Sequence, residues 1–181
     1  VPLFWWFVAG AALLLGVSAL FGGLDEADRS AAEPPLVPVG ERIVRDEFTV
    51  VVESARLMDI APGYSLEPEA GNRYLVVTTT VTNNWRVSTT SLGDLLHLEW
   101  AEEPDATRTV RLIDDSPLAQ ANPGFPVNVA FVWEIPQGER EVGETARITV
   151  SARTLTEDGD VTYGSYWSDP RPTAYVDVIV E

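Results

Sequence analysis

From residue 40 onward, apolar and polar positions alternate with a period of two in short runs separated by turn-forming residues. In FTVVVE, Phe48, Val50 and Val52 fall on one side, with Thr49, Val51 and Glu53 on the other. RYLVVTTTVTNN is rich in β-branched residues and stops at Asn83 and Asn84, a turn signal. In LLHLEW (95–100), Leu96, Leu98 and Trp100 share a face; RTVRLI (108–113) is a further short candidate, ended by Asp114 and Asp115. VNVAFVWEI shows the clearest alternation: Val127, Val129, Phe131, Trp133 and Ile135 against Asn128, Ala130, Val132 and Glu134. Pro136, Gln137 and Gly138 close it. ARITVSA then points Ala146, Ile148 and Val150 inward, and TAYVDVIV points Ala174, Val176, Val178 and Val180 inward. No sustained 3.6-residue pattern follows residue 24, so no crossover helix is available to join parallel strands. About seven or eight short strands bounded by Gly, Pro, Asn and Asp predict an all-β, two-sheet antiparallel sandwich over 40–181.

Residues 1–24 break this pattern. VPLFWWFVAGAALLLGVSALFGGL carries no charge, and as a helix it would span ~36 Å, enough for a bilayer core of ~30 Å. Phe4, Trp5, Trp6 and Phe7 place aromatic rings at one end, where a membrane interface would lie. The other end runs into Asp25, Glu26 and Asp28, opposed by Arg29 alone; cytoplasmic flanks favour basic residues, so this end is read as the outer one. The run exceeds the apolar core of about 7–15 residues in a cleaved signal peptide, so a retained single-pass signal anchor is expected, with an extracytoplasmic C-terminal part. Ala12 and Gly16, Ser18 and Gly22, and Ala19 and Gly23 set small residues four apart, a spacing that allows close helix packing. Residues 25–39, with Pro34, Pro35 and Pro38, have the composition of an extended acidic tether.

Charge and cysteine content narrow the functional classes. The net charge of -16 lies wholly outside the apolar run, and a surface of that sign repels nucleic acid. Every one of the 12 basic residues is arginine. With no cysteine there is no disulfide framework, thiolate metal site, Cys nucleophile or acylated lipoprotein anchor.

The order of segments from Gly40 onward (FTVVVESARL, GNRYLVVTTTVTNN, NPGFPVNVAFVWEIPQG) resembles the telokin-like immunoglobulin-fold domains of exported bacterial proteins. Gly71, Tyr74, Val81 and Asn83 occupy the pattern that opens and closes one long strand. Pro123, Gly124, Phe131, Ile135, Pro136 and Gly138 occupy a later one. The resemblance spans roughly residues 40–152 and departs at TEDGDVTYGSYWSDPRP. It implies an immunoglobulin-like sandwich anchored outside the membrane, and supplies no catalytic residues.

Candidate chemistry is sparse. His97 is the single histidine; without a nucleophile elbow or a His cluster it reads as a structural residue. Glu157, Asp158 and Asp160 around Gly159 supply oxygen ligands for calcium but lack the EF-hand spacing, and Asp-Gly equally suits a hairpin turn. Tyr163, Tyr166 and Trp167 fall in a Gly- and Ser-containing loop, and Trp85 follows the Asn83 and Asn84 turn. Strand alternation does not account for these aromatics, and Tyr and Trp are enriched in contact hot spots; folding back to cap the core is the structural alternative. The expectation is a non-enzymatic module without cofactor or metal that binds a membrane or envelope protein. The alternative is a ligand-binding domain for cell-wall glycan or calcium.

Overall fold

The computed structural model describes residues 33–63, 67–117, 119–156 and 166–181. The expected membrane helix, its packing face at Ala12, Gly16, Ala19 and Gly23, the acidic residues Glu157, Asp158 and Asp160, and Tyr163 lie outside the described residues. No helix among the described residues is long and apolar enough to cross a membrane.

The described chain is all-β. A five-stranded antiparallel sheet contains β1 (Arg42–Val44), β2 (Phe48–Met58), β3 (Asn72–Asn83), β5 (Arg108–Arg111) and β6 (Pro126–Pro136), in the order β1-β2-β3-β6-β5. A three-stranded sheet contains β4 (Leu96–His97), β7 (Thr145–Ala152) and β10 (Arg171–Ile179), in the order β10-β7-β4. A short hairpin joins β8 (Leu155–Thr156) to β9 (Tyr166–Trp167). The LLHLEW stretch pairs over two residues only, because Leu98 turns its N–H to the Pro104 carbonyl (2.8 Å) and leaves the ladder.

The alternation predicted from sequence defines the core between the sheets. Phe48, Val50, Val52, Leu75, Val77, Val81, Val129, Phe131, Trp133 and Ile135 meet Leu96, Leu98, Ala146, Ile148, Val150, Ala174, Val176 and Val178, all buried. Trp133 stacks on Phe131 with ring centroids 6.3 Å apart, and its Nε1–H donates to the Pro104 carbonyl at 3.1 Å, satisfying the ring's polar atom.

Strand β2 changes the phase of its alternation. Phe48, Val50 and Val52 point inward, and then Ala55 and Leu57 do. The β2–β3 register shifts between Val52 and Ser54, leaving Glu53 as the extra residue of a bulge. Before the bulge β2 pairs with β1; beyond it, Ala55 bridges Val180, the Leu57 N–H donates to the Glu181 carbonyl at 3.0 Å, and the Glu181 N–H donates to the Ala55 carbonyl at 2.9 Å. The bulge thus lets one strand serve both sheets.

The middle of the large sheet is apolar on both faces. Tyr74, Val76, Val110, Ala130 and Val132 form a second buried cluster with Ala61 on its outer side. The connection after β2 covers them and approaches so closely that a Cβ on Gly63 (φ +71°) would lie 2.6 Å from the Asp115 carbonyl oxygen and 2.8 Å from Val110 Cγ1. The compact unit runs Pro34–Glu181, so the last residues of the proline-rich segment belong to it. Val37 N–H donates to the Tyr175 carbonyl (2.8 Å), and Tyr175 N–H donates to the Pro35 carbonyl (2.9 Å). Extended proline geometry suits this edge, where a missing N–H can face solvent.

Candidate functional site

At one end of the sandwich, the turn between β1 and β2, the end of β3, the segment 85–91, the residue after β7 and strand β9 surround a cleft of about 350 Å³. Its walls include Glu47, Asn83, Trp85, Ser88, Arg153 and Trp167.

Local hydrogen bonding explains why these elements meet. Asn83 is fully buried, and its Nδ2 donates to the carbonyls of Val87 (2.8 Å) and Ala121 (3.0 Å). Its Oδ1 accepts the Trp85 N–H at 2.8 Å, an Asx turn that directs the chain out of β3. Asn84 clamps the neighbouring β1–β2 turn: its N–H donates to the Glu47 carbonyl (2.8 Å) and its Nδ2 to the Arg45 carbonyl (2.8 Å). At the open end of the β8–β9 hairpin, the Ser168 N–H donates to the Thr154 carbonyl (3.0 Å), and the Ser168 Oγ accepts the Thr154 N–H (3.0 Å). These contacts seat the β8–β9 hairpin.

Trp85 and Trp167 consequently meet edge to face, with centroids 5.3 Å apart and an interplanar angle of 81°. Both are half-buried. The Arg86 guanidinium lies 5.1 Å from the Trp85 ring centroid, a cation–π distance. Trp167 and Tyr166, expected in a loop, belong to strand β9, because the chain there pairs back on Leu155 and Thr156.

Glu47 is 6% exposed. Removal from water raises its carboxyl pKa; the Arg153 charge opposes this, and the Asp94 charge adds to it. Arg153 is itself ion-paired with Asp94. Among the described residues, no hydrogen bond reaches the Glu47 carboxylate. Nothing in the RDEF segment signals this burial: a charged residue between a turn and a strand is ordinarily exposed.

The remaining candidates are engaged in structural contacts. His97 Nδ1 lies 2.6 Å from Asp105 Oδ1, and the pair ties β4 to the 98–105 segment. The Arg111 guanidinium holds Asp114, with Nε donating to Oδ1 at 2.9 Å, which lowers the Asp114 pKa from 3.8 to about 2. Asp115 adopts φ +54° in the same turn. Among the described residues, no group of three or more His, Asp or Glu is placed to hold a metal ion. A second groove, of about 450 Å³, runs past Trp100, Arg140, Arg147 and Asp177. There Arg140 stacks 4.1 Å from the Trp100 centroid, and Arg147 is bidentate on Asp177 at 2.8 and 2.9 Å, so the charges of that ladder are paired. The Trp85 cleft differs in being lined by a carboxylate that no hydrogen bond among the described residues reaches.

No protein-family model and no curated protein matches the sequence. Among solved structures, the chain is similar to an uncharacterized β-sandwich protein from Clostridium difficile 630, at 13% identity and a TM-score of 0.52, over 80% of this chain and 94% of that one. A conserved hypothetical protein from Bacillus anthracis matches at 14% identity and a TM-score of 0.38, over 62% and 87% of the two chains. The likeness to the first supports the β-sandwich fold.

Proposed function

We propose that this chain is a non-enzymatic interaction module with an immunoglobulin-like, telokin-like sandwich, held at the extracytoplasmic face of a membrane by residues 1–24. Through the end bearing Trp85 and Trp167, it engages another membrane or envelope protein. The observation that carries this reading is the half-buried, edge-to-face tryptophan pair lining a surface cleft. Large aromatic side chains bury much area with few rotatable bonds, and they dominate contact energetics when neighbouring groups exclude water. The uncharged run at the start of the chain supports the anchored placement.

Affinity capture of the tagged full chain from detergent-solubilised membranes, followed by cross-linking and mass spectrometry, tests the proposal. A specific partner is expected to be retained by the parent chain and lost in Trp85→Ala and Trp167→Ala. Recovery of the chain alone, or capture indifferent to both substitutions, refutes it.

A further inference from the structure

A carboxylate is ordinarily kept out of a protein interior unless a hydrogen-bond donor or counter-ion accompanies it, because desolvation of an unpaired charge is expensive. The Glu47 side chain is largely buried, yet its carboxylate oxygens stay open to the cleft. It is 6% exposed, lines the cleft, and no hydrogen bond among the described residues reaches its carboxylate. Arg153, the guanidinium nearest in charge effect, is already paired with Asp94, so the trio keeps one excess negative charge. Opposite this charge stand two tryptophan rings at nearly right angles, whose faces attract cations. The ring of Trp85 already draws the guanidinium of Arg86 to 5.1 Å. At about 350 Å³ the cleft lies near the small end of ligand pockets, which run roughly 300–1,000 Å³. A net charge of -16 adds long-range attraction for a basic partner.

We infer that the cleft formed by Glu47, Trp85 and Trp167 receives a cationic side chain, a lysine or arginine of the partner. This rests on the binding role proposed above for the same end of the sandwich. The incoming cation supplies hydrogen-bond donors to the Glu47 carboxylate, which no hydrogen bond among the described residues reaches, and packs its apolar stem against the indoles. Arg153 and Asp94, the other charged groups acting on Glu47, are ion-paired with each other, so the Glu47 carboxylate keeps its acceptor capacity for the incoming cation.

The test uses the full chain in detergent micelles, with indole resonances of Trp85 and Trp167 followed by NMR. The probes are acetyl-Gly-Arg-Gly-amide, its lysine counterpart, its neutral citrulline counterpart, and a neutral N-acetylglucosamine tetramer. Saturable shifts of both resonances are expected with the arginine and lysine peptides, at least tenfold weaker with the citrulline peptide. Glu47→Gln is expected to weaken the cationic peptides at least tenfold. Lowering the pH toward 4.5 should weaken them in the parent and leave the Gln variant unchanged. Equal binding of citrulline and arginine peptides, full affinity in Glu47→Gln, or a response to the oligosaccharide alone overturns the inference. The citrulline comparison needs no substitution, so it decides the matter even if Glu47→Gln is poorly folded. If partner capture depends on both tryptophans but ignores Glu47→Gln, the interaction reading stands and the cation inference falls.

Discussion

Asn83 makes the most local demand on the architecture around the cleft, and Asn83→Ala measures it. The substitution removes three side-chain hydrogen bonds: two donated by Nδ2, at 2.8 and 3.0 Å, and one accepted by Oδ1 at 2.8 Å. Each is worth roughly 1 kcal/mol net, and a buried group left without a partner costs roughly 1–3 kcal/mol more. Much of that second penalty is avoided here. The Val87 residue is 60% exposed and its carbonyl can turn to water, while the Ala121 carbonyl keeps the Thr89 N–H at 3.1 Å. The expected loss is therefore about 3 kcal/mol, near the sum of the net terms. For a unit of this size that corresponds to a fall of roughly 6–12 °C in melting temperature. Asn84→Ala is the control: it loses bonds to the Arg45 carbonyl and Thr49 Oγ1, but at an exposed site where water substitutes, so about 1 kcal/mol or less is expected. Asn83→Asp should be worse than Asn83→Ala, because it turns a carboxylate oxygen toward two carbonyl oxygens in a buried site. Urea unfolding of the full chain in mild detergent, followed by far-UV circular dichroism, reads all three. An Asn83→Ala loss under about 1 kcal/mol, or an Asp variant milder than the Ala variant, would refute the assignment of Asn83 as the hub of this end.

Further outcomes follow from the packing and from titration. Gly63→Ala should destabilise by about 1–3 kcal/mol, since a Cβ meets backbone at 2.6 Å where φ is +71°, whereas Gly93→Ala, in open space, should be neutral within about 0.5 kcal/mol; urea midpoints compare the two. Burial raises the Glu47 pKa above 4.5 in the folded chain, so its folded state prefers the proton, and the associated stability is complete below pH 4.5 and is lost as pH rises through the folded value. Glu47→Gln should accordingly gain stability relative to the parent as pH climbs above 4.5, read from unfolding curves between pH 4 and 8; a gap that is constant with pH contradicts the raised Glu47 pKa. Asp114, lowered from 3.8 to about 2 by the Arg111 contact, works in the opposite sense: its contribution is present above pH 3.8 and lost as pH falls toward 2. In Arg111→Ala, NMR titration should return the Asp114 carboxyl toward 3.8.

Local pattern determined the greater part of the fold. The inward sets on β6, β7 and β10 follow from alternation alone, because side chains in a strand must point to opposite faces and one face must leave water. Alternation could not foresee the Glu53 bulge, which reverses the inward phase partway along β2; an extra residue leaves no mark in a single strand and is defined only by its partners. Nor could it place Ala130 and Val132 in a second cluster, since the outer face of the large sheet is covered by the connection through Gly63. The cleft divides in the same way. Trp85 and Trp167 stand out in the sequence as aromatics unexplained by strand periodicity, but their edge-to-face contact depends on β3 and β9 ending at the same pole of the sandwich. Glu47 was invisible beforehand. The charges that act on it, Arg153 and Asp94, are remote in the chain, and desolvation is a property of surroundings that only tertiary packing creates.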